Sequence, residues 1–367
     1  MAGNLKNNQT FQDMNQPLVS VVLVVCNVDR FLAESIESIL GQTFQDLEFI
    51  IVDFGSTDNS RAIVASYAAN EARILSYDIA HCGLAEARNA ACFRAQGQYI
   101  ALMDADDVST PERLRWQVEF MERHPEVSVL GGAVEWIDTS GRPLIIRDNP
   151  VGNREIQTAL LECCPLWQPT VMMRRDAFVA VGGYRPAFAP AEDYDLWLRM
   201  AGHCEIANLR QVVLKYRIHP HQVSMRKQTQ QTLGILAAQV SASARRSGQA
   251  DPLSTAKEIT PELLSRLGIG ERKLQSQLTS NRRQWIRHMC MAGELSVALE
   301  AALALLQSNL EHVERWQVAD IQLTVSSLYW RQKRYAKSLL SACRALITRP
   351  VVAGRPLKPL LQRLRWI

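Results

Sequence analysis

Several features are missing from this 367-residue sequence, and each absence excludes something. Eight cysteines are present, at 26, 82, 92, 163, 164, 204, 290 and 343, yet no two are spaced C-x-x-C and no Cys/His spacing marks a zinc site. Most sit in apolar surroundings, where a free cysteine acts as a small hydrophobe. The pattern fits a reducing cytosol and not a disulfide scaffold. No apolar run reaches the roughly 20 residues that span a bilayer. The run Leu18–Cys26 stops at Asn27, and as a signal sequence it lacks a basic region beyond Lys6 and a small-residue cleavage site. No G-x-G-x-x-G follows any strand-like run, which argues against a dinucleotide-dependent oxidoreductase. No glycine-rich basic loop follows the first strand, since Val24–Arg30 supplies none, which argues against a nucleotidyltransferase. No Ser/His or Cys/His arrangement suggests a protein nucleophile. No aromatic-interleaved basic platform or helix-turn-helix pattern appears, so no nucleic-acid partner is expected.

What is present describes a folded chain. Apolar residues make up 47% and charged residues 21%, enough to build a core and too apolar for a disordered chain. The length fits one large domain with an appendage, or two domains. The net charge of +4 is a sum of unlike parts. Residues 1–224 hold 19 basic and 28 acidic residues, a net of −9, whereas residues 225–367 hold 22 and 9, a net of +13. The Asn- and Gln-rich residues 1–16 read as a disordered leader.

Apolar periodicity in the first half alternates between strand and helix. Strands are expected at Leu18–Val25, Leu47–Val52, Arg73–Tyr77, Tyr99–Met103 and Val127–Gly131. Helices are expected at Phe31–Leu40, Thr57–Asn70, Leu84–Ala95 and from Thr110 to His124, with Thr110 capping and Pro111 at the first position. This order implies an α/β fold with a mostly parallel sheet and helices on both faces. Such sheets bind ligands at the carboxyl ends of their strands. There lie Cys26-Asn27, Asp53 and the run Asp104-Ala105-Asp106-Asp107. A hairpin around Ser140-Gly141, strands at Pro169–Met173 and Val212–Tyr216, and a helix at Ala191–Ala201 follow. From about 225 helices take over, at 225–248, 260–279, 281–307, 311–331 and 334–348, the last of them resembling packed hairpins.

Two acidic clusters stand out. Asp104, Asp106 and Asp107 crowd three carboxylates at a strand end. Such charges raise one another's pKa unless a cation intervenes, and a hard divalent ion shared with phosphate oxygens is the usual solution. The plainer account is that they favour the following helix through its dipole. In the second cluster, Glu192-Asp193-Tyr194-Asp195, the same plain account competes with a general base that takes a proton from a hydroxyl.

An ordered set of segments resembles family 2 glycosyltransferases. It comprises Pro17–Val22, Asn27, Phe31–Phe44, Ile51–Asp58, Gly83–Asn89, Gly97–Asp107, Gly182-Gly183-Tyr184, Ala191–Arg199 and Tyr216-Arg217-Ile218-His219, and covers about residues 17–224. The resemblance implies a GT-A fold, a nucleotide-sugar donor, Mn²⁺ or Mg²⁺, and inversion at the anomeric carbon. It places Asn27, Asp53, Arg88 and Asp104 at the donor, Asp53 in the nucleoside pocket. It makes Asp104, Asp106 and Asp107 the DxD-type metal and diphosphate site, with Asp106, Asp107 and His219 as metal ligands; a structural role for His219 stays open. Asp193 is the implied base, with Glu192 beside it shaping the acceptor site. The expected acceptor is a saccharide or lipid-linked hydroxyl in surface-polysaccharide or glycolipid assembly.

Two departures bear on this. Val24-Val25-Cys26 stand where the family commonly has Pro and Tyr before Asn27. Phe54 stands where a second aspartate would accept a hydrogen bond from a uracil base. They motivate an alternative, a degenerate GT-A domain that binds nucleotides or scaffolds a partner without catalysis. The expected division is a leader at 1–16, a transferase domain at 17–224 and a basic helical extension at 225–367. The extension reads either as solvated helix faces or as an attraction to an anionic membrane. The expected location is the cytoplasm, peripheral at the inner face of its membrane.

Overall fold

The computed structural model describes residues 16–79, 82–222, 227–308, 310–311 and 313–349. The leader, except Gln16, and the terminal basic residues Arg355, Lys358, Arg363 and Arg365 lie outside them. Contacts divide the chain into two units. One comprises residues up to 217 together with 234–259, and the other 218–233 together with residues from 260 on.

The first unit is built on strands whose sequence leaves no polar side. β1 (Val19–Val25) and β2 (Leu47–Asp53) are buried at every position, as expected where helices cover both faces. Two polar residues inside this layer, Ser20 and Glu48, satisfy each other. Ser20 Oγ donates to Glu48, and Glu48 also accepts from the Gln96 N–H at 2.7 Å. Gly97 lies against Ser20 so closely that a Cβ would sit 2.7 Å from its backbone nitrogen. β3 (Ile74–Asp78) and β4 (Tyr99–Asp104) complete a parallel group in the order β3-β2-β1-β4. The crossovers are α1 (Asp29–Leu40), α2 (Ser60–Ala68) and α3 (Leu84–Cys92).

Beyond β4 the sheet becomes mixed. β5 (Val108–Ser109), β6 (Val127–Ile137), β7 (Pro143–Arg147), β8 (Met172–Arg174) and β9 (Glu205–Arg217) extend it in the order β4-β8-β6-β9-β5, with β7 on β6. β8 runs antiparallel to both β4 and β6, while β6 and β9 run parallel. The expected hairpin is β6–β7, its turn held by Asp138 Oδ1, which accepts from the N–H groups of Ser140 and Arg142 at 2.9 and 3.0 Å.

Two helix starts differ from expectation because the capping side chains have other partners. α4 (Arg113–Arg123) starts after Thr110, whose hydroxyl donates to the Val212 carbonyl at 3.3 Å. α2 starts at Ser60, because the segment from Gly55 to Asp58 is bound to Asp53 and Asn27. α5 (Asn153–Ala159), α6 (Arg175–Ala180) and α7 (Glu192–Met200) complete this part, followed by α8 (Gln228–Arg246).

In the second unit the expected break near residue 280 is absent. α9 (Pro261–Arg266) ends before Gly268, α10 (Glu271–Met291) runs through, and α11 (Leu295–Gln307) begins after Gly293. Gly268 and Gly293 have φ of +86° and +82°, the left-handed conformation that closes a helix. α12 (Arg315–Arg331) and α13 (Tyr335–Thr348) form a hairpin. No helix among the described residues is long and apolar enough to cross a membrane.

One buried ion cluster orients α7, the helix on which the second acidic cluster lies. Asp195 is fully buried and accepts from Arg199 Nε at 2.9 Å and from both Arg185 Nε, at 2.9 Å, and Arg185 Nη2. Arg185 also reaches Asp251, which accepts from Arg245 as well. Removing one member of such a cluster strands the others' charges in a poor solvent. We expect Asp195→Asn to lower unfolding free energy by about 3–5 kcal/mol, measured by urea denaturation.

Candidate active site

The acidic run occupies the turn between β4 and β5, at the carboxyl edge of the sheet. Asp104 ends β4, and its carbonyl accepts from Ser35 Oγ of α1 at 3.2 Å. The turn is then clamped by Arg217, the last residue of β9 and almost wholly buried. Arg217 donates its backbone N–H to Asp107 Oδ1 at 2.8 Å and its Nε to the Asp106 carbonyl at 2.9 Å. It also pairs with Glu34 of α1 and lies over the Phe31 ring at 4.6 Å. A second buried arginine, Arg113, donates to the Leu102 carbonyl at 2.7 Å, placing a cation beneath β4.

This geometry leaves one carboxylate short of partners. Asp107 is buried, and its Oδ2 accepts no hydrogen bond. Burial, and then Asp106 and Asp104, push its carboxyl well above the usual range. A buried carboxylate oxygen without a partner, on a turn of mutually repelling carboxylates, suits a hard divalent cation. Asp106, half-buried beside it, supplies a second carboxylate. As they stand, no three His, Cys, Asp or Glu side chains among the described residues gather closely enough to hold an ion.

Arg88 joins the two acidic clusters. From α3 it donates Nη2 to Asp104 Oδ1 at 3.0 Å and Nη1 to Glu192 Oε1, across 104 residues of sequence. Burial alone would lower the basicity of Arg88, but Glu192 and Asp104 hold it above the ordinary value. Neighbouring Asn89 fixes α3 through the Tyr184 backbone, accepting its N–H and donating to its carbonyl, both at 2.8 Å. Glu192 is buried, and its second oxygen has no partner.

Asp193 follows Glu192 in the first turn of α7. It is half-buried, and its Oδ1 accepts the Tyr194 N–H at 2.7 Å. Burial, and then the Glu192 charge, raise its carboxyl to about 7 against the opposing pull of Arg88. A carboxylate poised there is suited to taking a proton near neutral pH. The acidic residues of this short segment thus serve separate ends: Glu192 binds Arg88, Asp195 anchors the helix, and Asp193 holds the perturbed carboxyl.

Asp53 and Asn27 shape the loops after β2 and β1. Asp53 Oδ1 accepts the Gly55 and Ser56 N–H groups at 3.0 and 2.9 Å, while its buried Oδ2 has no partner. Asn27 adopts a φ of 55°, and its Oδ1 accepts the Thr57 N–H at 2.8 Å. It thereby ties the first loop to the second. Phe54 between them is half-buried. His219 belongs to the second unit; it is buried, and its Nδ1 accepts the His221 N–H at 3.3 Å, which puts the neutral ring's proton on Nε2.

Sequence reasoning missed an aromatic pair. Trp167 and Tyr216 lie with ring centroids 5.3 Å apart, and Trp136 meets Trp167 edge-on at 5.9 Å. Trp167 Nε1 is buried with no acceptor. Burial, and then Asp107, Asp106, Asp104 and Asp193, raise the Tyr216 hydroxyl well above its usual pKa, so this ring faces both acidic clusters. Tyr216-Arg217 was visible as part of a motif, but nothing in the sequence assigned either residue a task.

Comparison with known proteins agrees with this arrangement. The family model described as glycosyl transferase family 2 matches residues 20–182. A Bacillus subtilis (strain 168) protein bearing the name glycosyltransferase EpsE is 37% identical over 188 residues, 50% of this chain and 66% of that protein, just under two thirds of its length. The amylovoran biosynthesis glycosyltransferase AmsE of Erwinia amylovora is 32% identical over 57% of this chain and 80% of its own. The O-antigen biosynthesis glycosyltransferase WbnJ of Escherichia coli is 32% identical over 55% and 80%. Among solved structures, Staphylococcus aureus TarS 1–349 in complex with UDP aligns over 92% of both chains at 17% identity, with a TM-score of 0.48. The ordered motifs, the family model and the AmsE and WbnJ relatives lead to one conclusion: the chain belongs to glycosyl transferase family 2 and has the GT-A fold.

Proposed function

We propose that this protein transfers a sugar from a nucleotide-sugar donor to a hydroxyl of a saccharide or lipid-linked acceptor, with inversion, in cell-surface polysaccharide or glycolipid assembly. One observation carries the reading: Arg88 holds the acidic turn and the Glu192-Asp193 pair together at the carboxyl edge of the sheet. The biosynthetic names of AmsE and WbnJ support the substrate class. The 17–224 segment is the transferase part, and the protein acts at the inner face of the cytoplasmic membrane as a peripheral component.

In this mechanism Asp193 accepts the proton of the acceptor hydroxyl as that oxygen bonds to the anomeric carbon. The bond from that carbon to the diphosphate oxygen breaks on the opposite face, and its electron pair leaves with the nucleoside diphosphate. A single displacement needs one base and no protein nucleophile. Asp106 and Asp107, with Asp104, would hold Mn²⁺ or Mg²⁺, whose charge would offset that of the departing diphosphate. Arg88 fixes Glu192 beside Asp193, whose proton affinity is raised first by burial and then by the Glu192 charge. Asp53, with a buried free oxygen, is an acceptor for a donor group on the nucleoside, and Phe54 offers a ring face to a base. Trp167 and Tyr216 form a platform for the apolar face of an acceptor sugar.

Four outcomes are expected. Asp193→Asn should lower kcat by about 10²–10⁴-fold while nucleotide binding by calorimetry is retained. In the wild type kcat/KM should rise with pH through about 7 as Asp193 ionises, and that limb should vanish in the variant. Unchanged turnover would exclude Asp193 as the base. Asp107→Asn should raise the melting temperature of cation-free protein by about 2–4 °C by relieving buried repulsion, and remove the stabilisation that Mn²⁺ with a nucleoside diphosphate gives the wild type. A lower melting temperature, with Mn²⁺ stabilisation intact, would refute the assignment. Trp167→Ala should raise the acceptor KM about 10-fold and leave donor affinity unchanged; equal losses on both substrates would refute the platform.

A further inference from the structure

Helix α13 is amphipathic in the inverted sense. The side that packs inward is small: Ser338, Ser341 and Ala345 are its buried residues. Ser338 and Ser326 of α12 exchange hydrogen bonds with each other's carbonyls at 2.9 and 2.8 Å. The large apolar residues face solvent. Ile347 is 81% exposed, Leu339 68%, Tyr335 54% and Leu340 53%. At 100° per residue, Tyr335, Leu339, Leu340 and Ile347 fall within one continuous stripe opposite the serines. Trp330, 52% exposed at the end of α12, continues that stripe, its ring 4.9 Å from Tyr335.

Charge defines what this face meets. From Ile321 to Ile367 the chain has ten basic residues and no acidic one. Within the described part Lys333, Arg334, Lys337 and Arg344 are exposed around the stripe. The Arg334 guanidinium and the Lys337 ammonium lie over the Tyr329 ring at 4.9 and 5.9 Å, which holds both cations at the border of the stripe. Two copies of so uniformly basic a face repel, which disfavours self-association. An exposed apolar stripe with an aromatic pair at one end and a basic border is the pattern of a helix that lies in a bilayer interface.

We propose that the α12–α13 hairpin docks on an anionic lipid bilayer, with Leu339, Leu340 and Ile347 entering the headgroup–acyl boundary and the basic border contacting lipid phosphates. This deepens the peripheral placement proposed above and is independent of the transfer chemistry, because none of these residues belongs to the active site.

The test is co-sedimentation of the full chain with phosphatidylcholine vesicles, with and without phosphatidylglycerol. At low salt, partitioning should be at least about 10-fold stronger on the anionic vesicles. The pair Leu339→Ser and Ile347→Ser should weaken it about 10-fold at every salt concentration. The triple variant Lys333→Gln, Arg334→Gln, Lys337→Gln should remove most of its salt dependence. Both variants should keep the wild-type melting temperature and transfer to a water-soluble acceptor. No binding, or equal binding to both vesicle types, overturns the proposal. So does a concentration-dependent dimer, seen by analytical ultracentrifugation, that the serine pair dissolves, since it assigns the face to a second copy. Loss of transfer with vesicle binding intact counts against the catalytic reading alone.

Discussion

The Arg88 guanidinium is the constraint on which the site depends. Its two carboxylate partners lie on elements that the chain builds far apart, Asp104 at the end of β4 and Glu192 at the start of α7. A planar fork with fixed donor directions sets the spacing of the two clusters more tightly than a lysine could. The bridge also has an electrostatic duty. It holds Glu192 buried beside Asp193, whose pKa is raised by burial and then by the Glu192 charge, while Arg88 itself pulls the other way. One side chain thus sets the spacing of the two clusters and tempers the proton affinity of Asp193.

Around this bridge the protein concentrates negative charge and supports it from behind. Arg217 holds the acidic turn by its backbone and side chain, and Arg113 lies under β4. Neither arginine satisfies Asp107 Oδ2, which stays buried and open. The same arrangement recurs at Asp53, where one oxygen organises a loop and the other has no partner. Buried carboxylates of this kind cost stability. The buried cluster of Asp195, Arg185 and Arg199 shows the opposite use of charge, with both carboxylate oxygens engaged.

Much of this was legible in the sequence because local physics decided it. Strands buried on both faces appear as unbroken apolar runs, and the loops that follow them had to carry the chemistry, which located Asn27, Asp53 and Asp104. What stayed hidden was set by distant partners. Thr110 has the form of a cap, yet it is taken by the Val212 carbonyl. Arg217 looks like one more strand residue until β9 places it beside a turn 110 positions earlier. The break at Gly268 and Gly293 was available from turn chemistry, but continuous helical periodicity on either side concealed it. The outward apolar face of α13 escaped notice because an amphipathic pattern does not say which side points inward.

The segment between α5 and Trp167 is held in a particular way. Tyr194 Oη donates to the Leu160 carbonyl at 2.7 Å, Gln239 to the Glu162 carbonyl at 3.1 Å, and Asn208 to the Pro165 carbonyl at 3.1 Å. Every one of these anchors grips main chain, which any amino acid provides. Leu161, Glu162, Cys163 and Cys164 are exposed between them. Replacing the side chains of Leu161, Glu162 and Cys163 leaves these anchors in place, whereas Cys164 adds its own by donating Sγ to the Leu166 carbonyl at 3.3 Å. The chain thus keeps three exposed positions, 161–163, whose identity the loop's own hydrogen bonds leave open, shortly before a tryptophan whose position they fix.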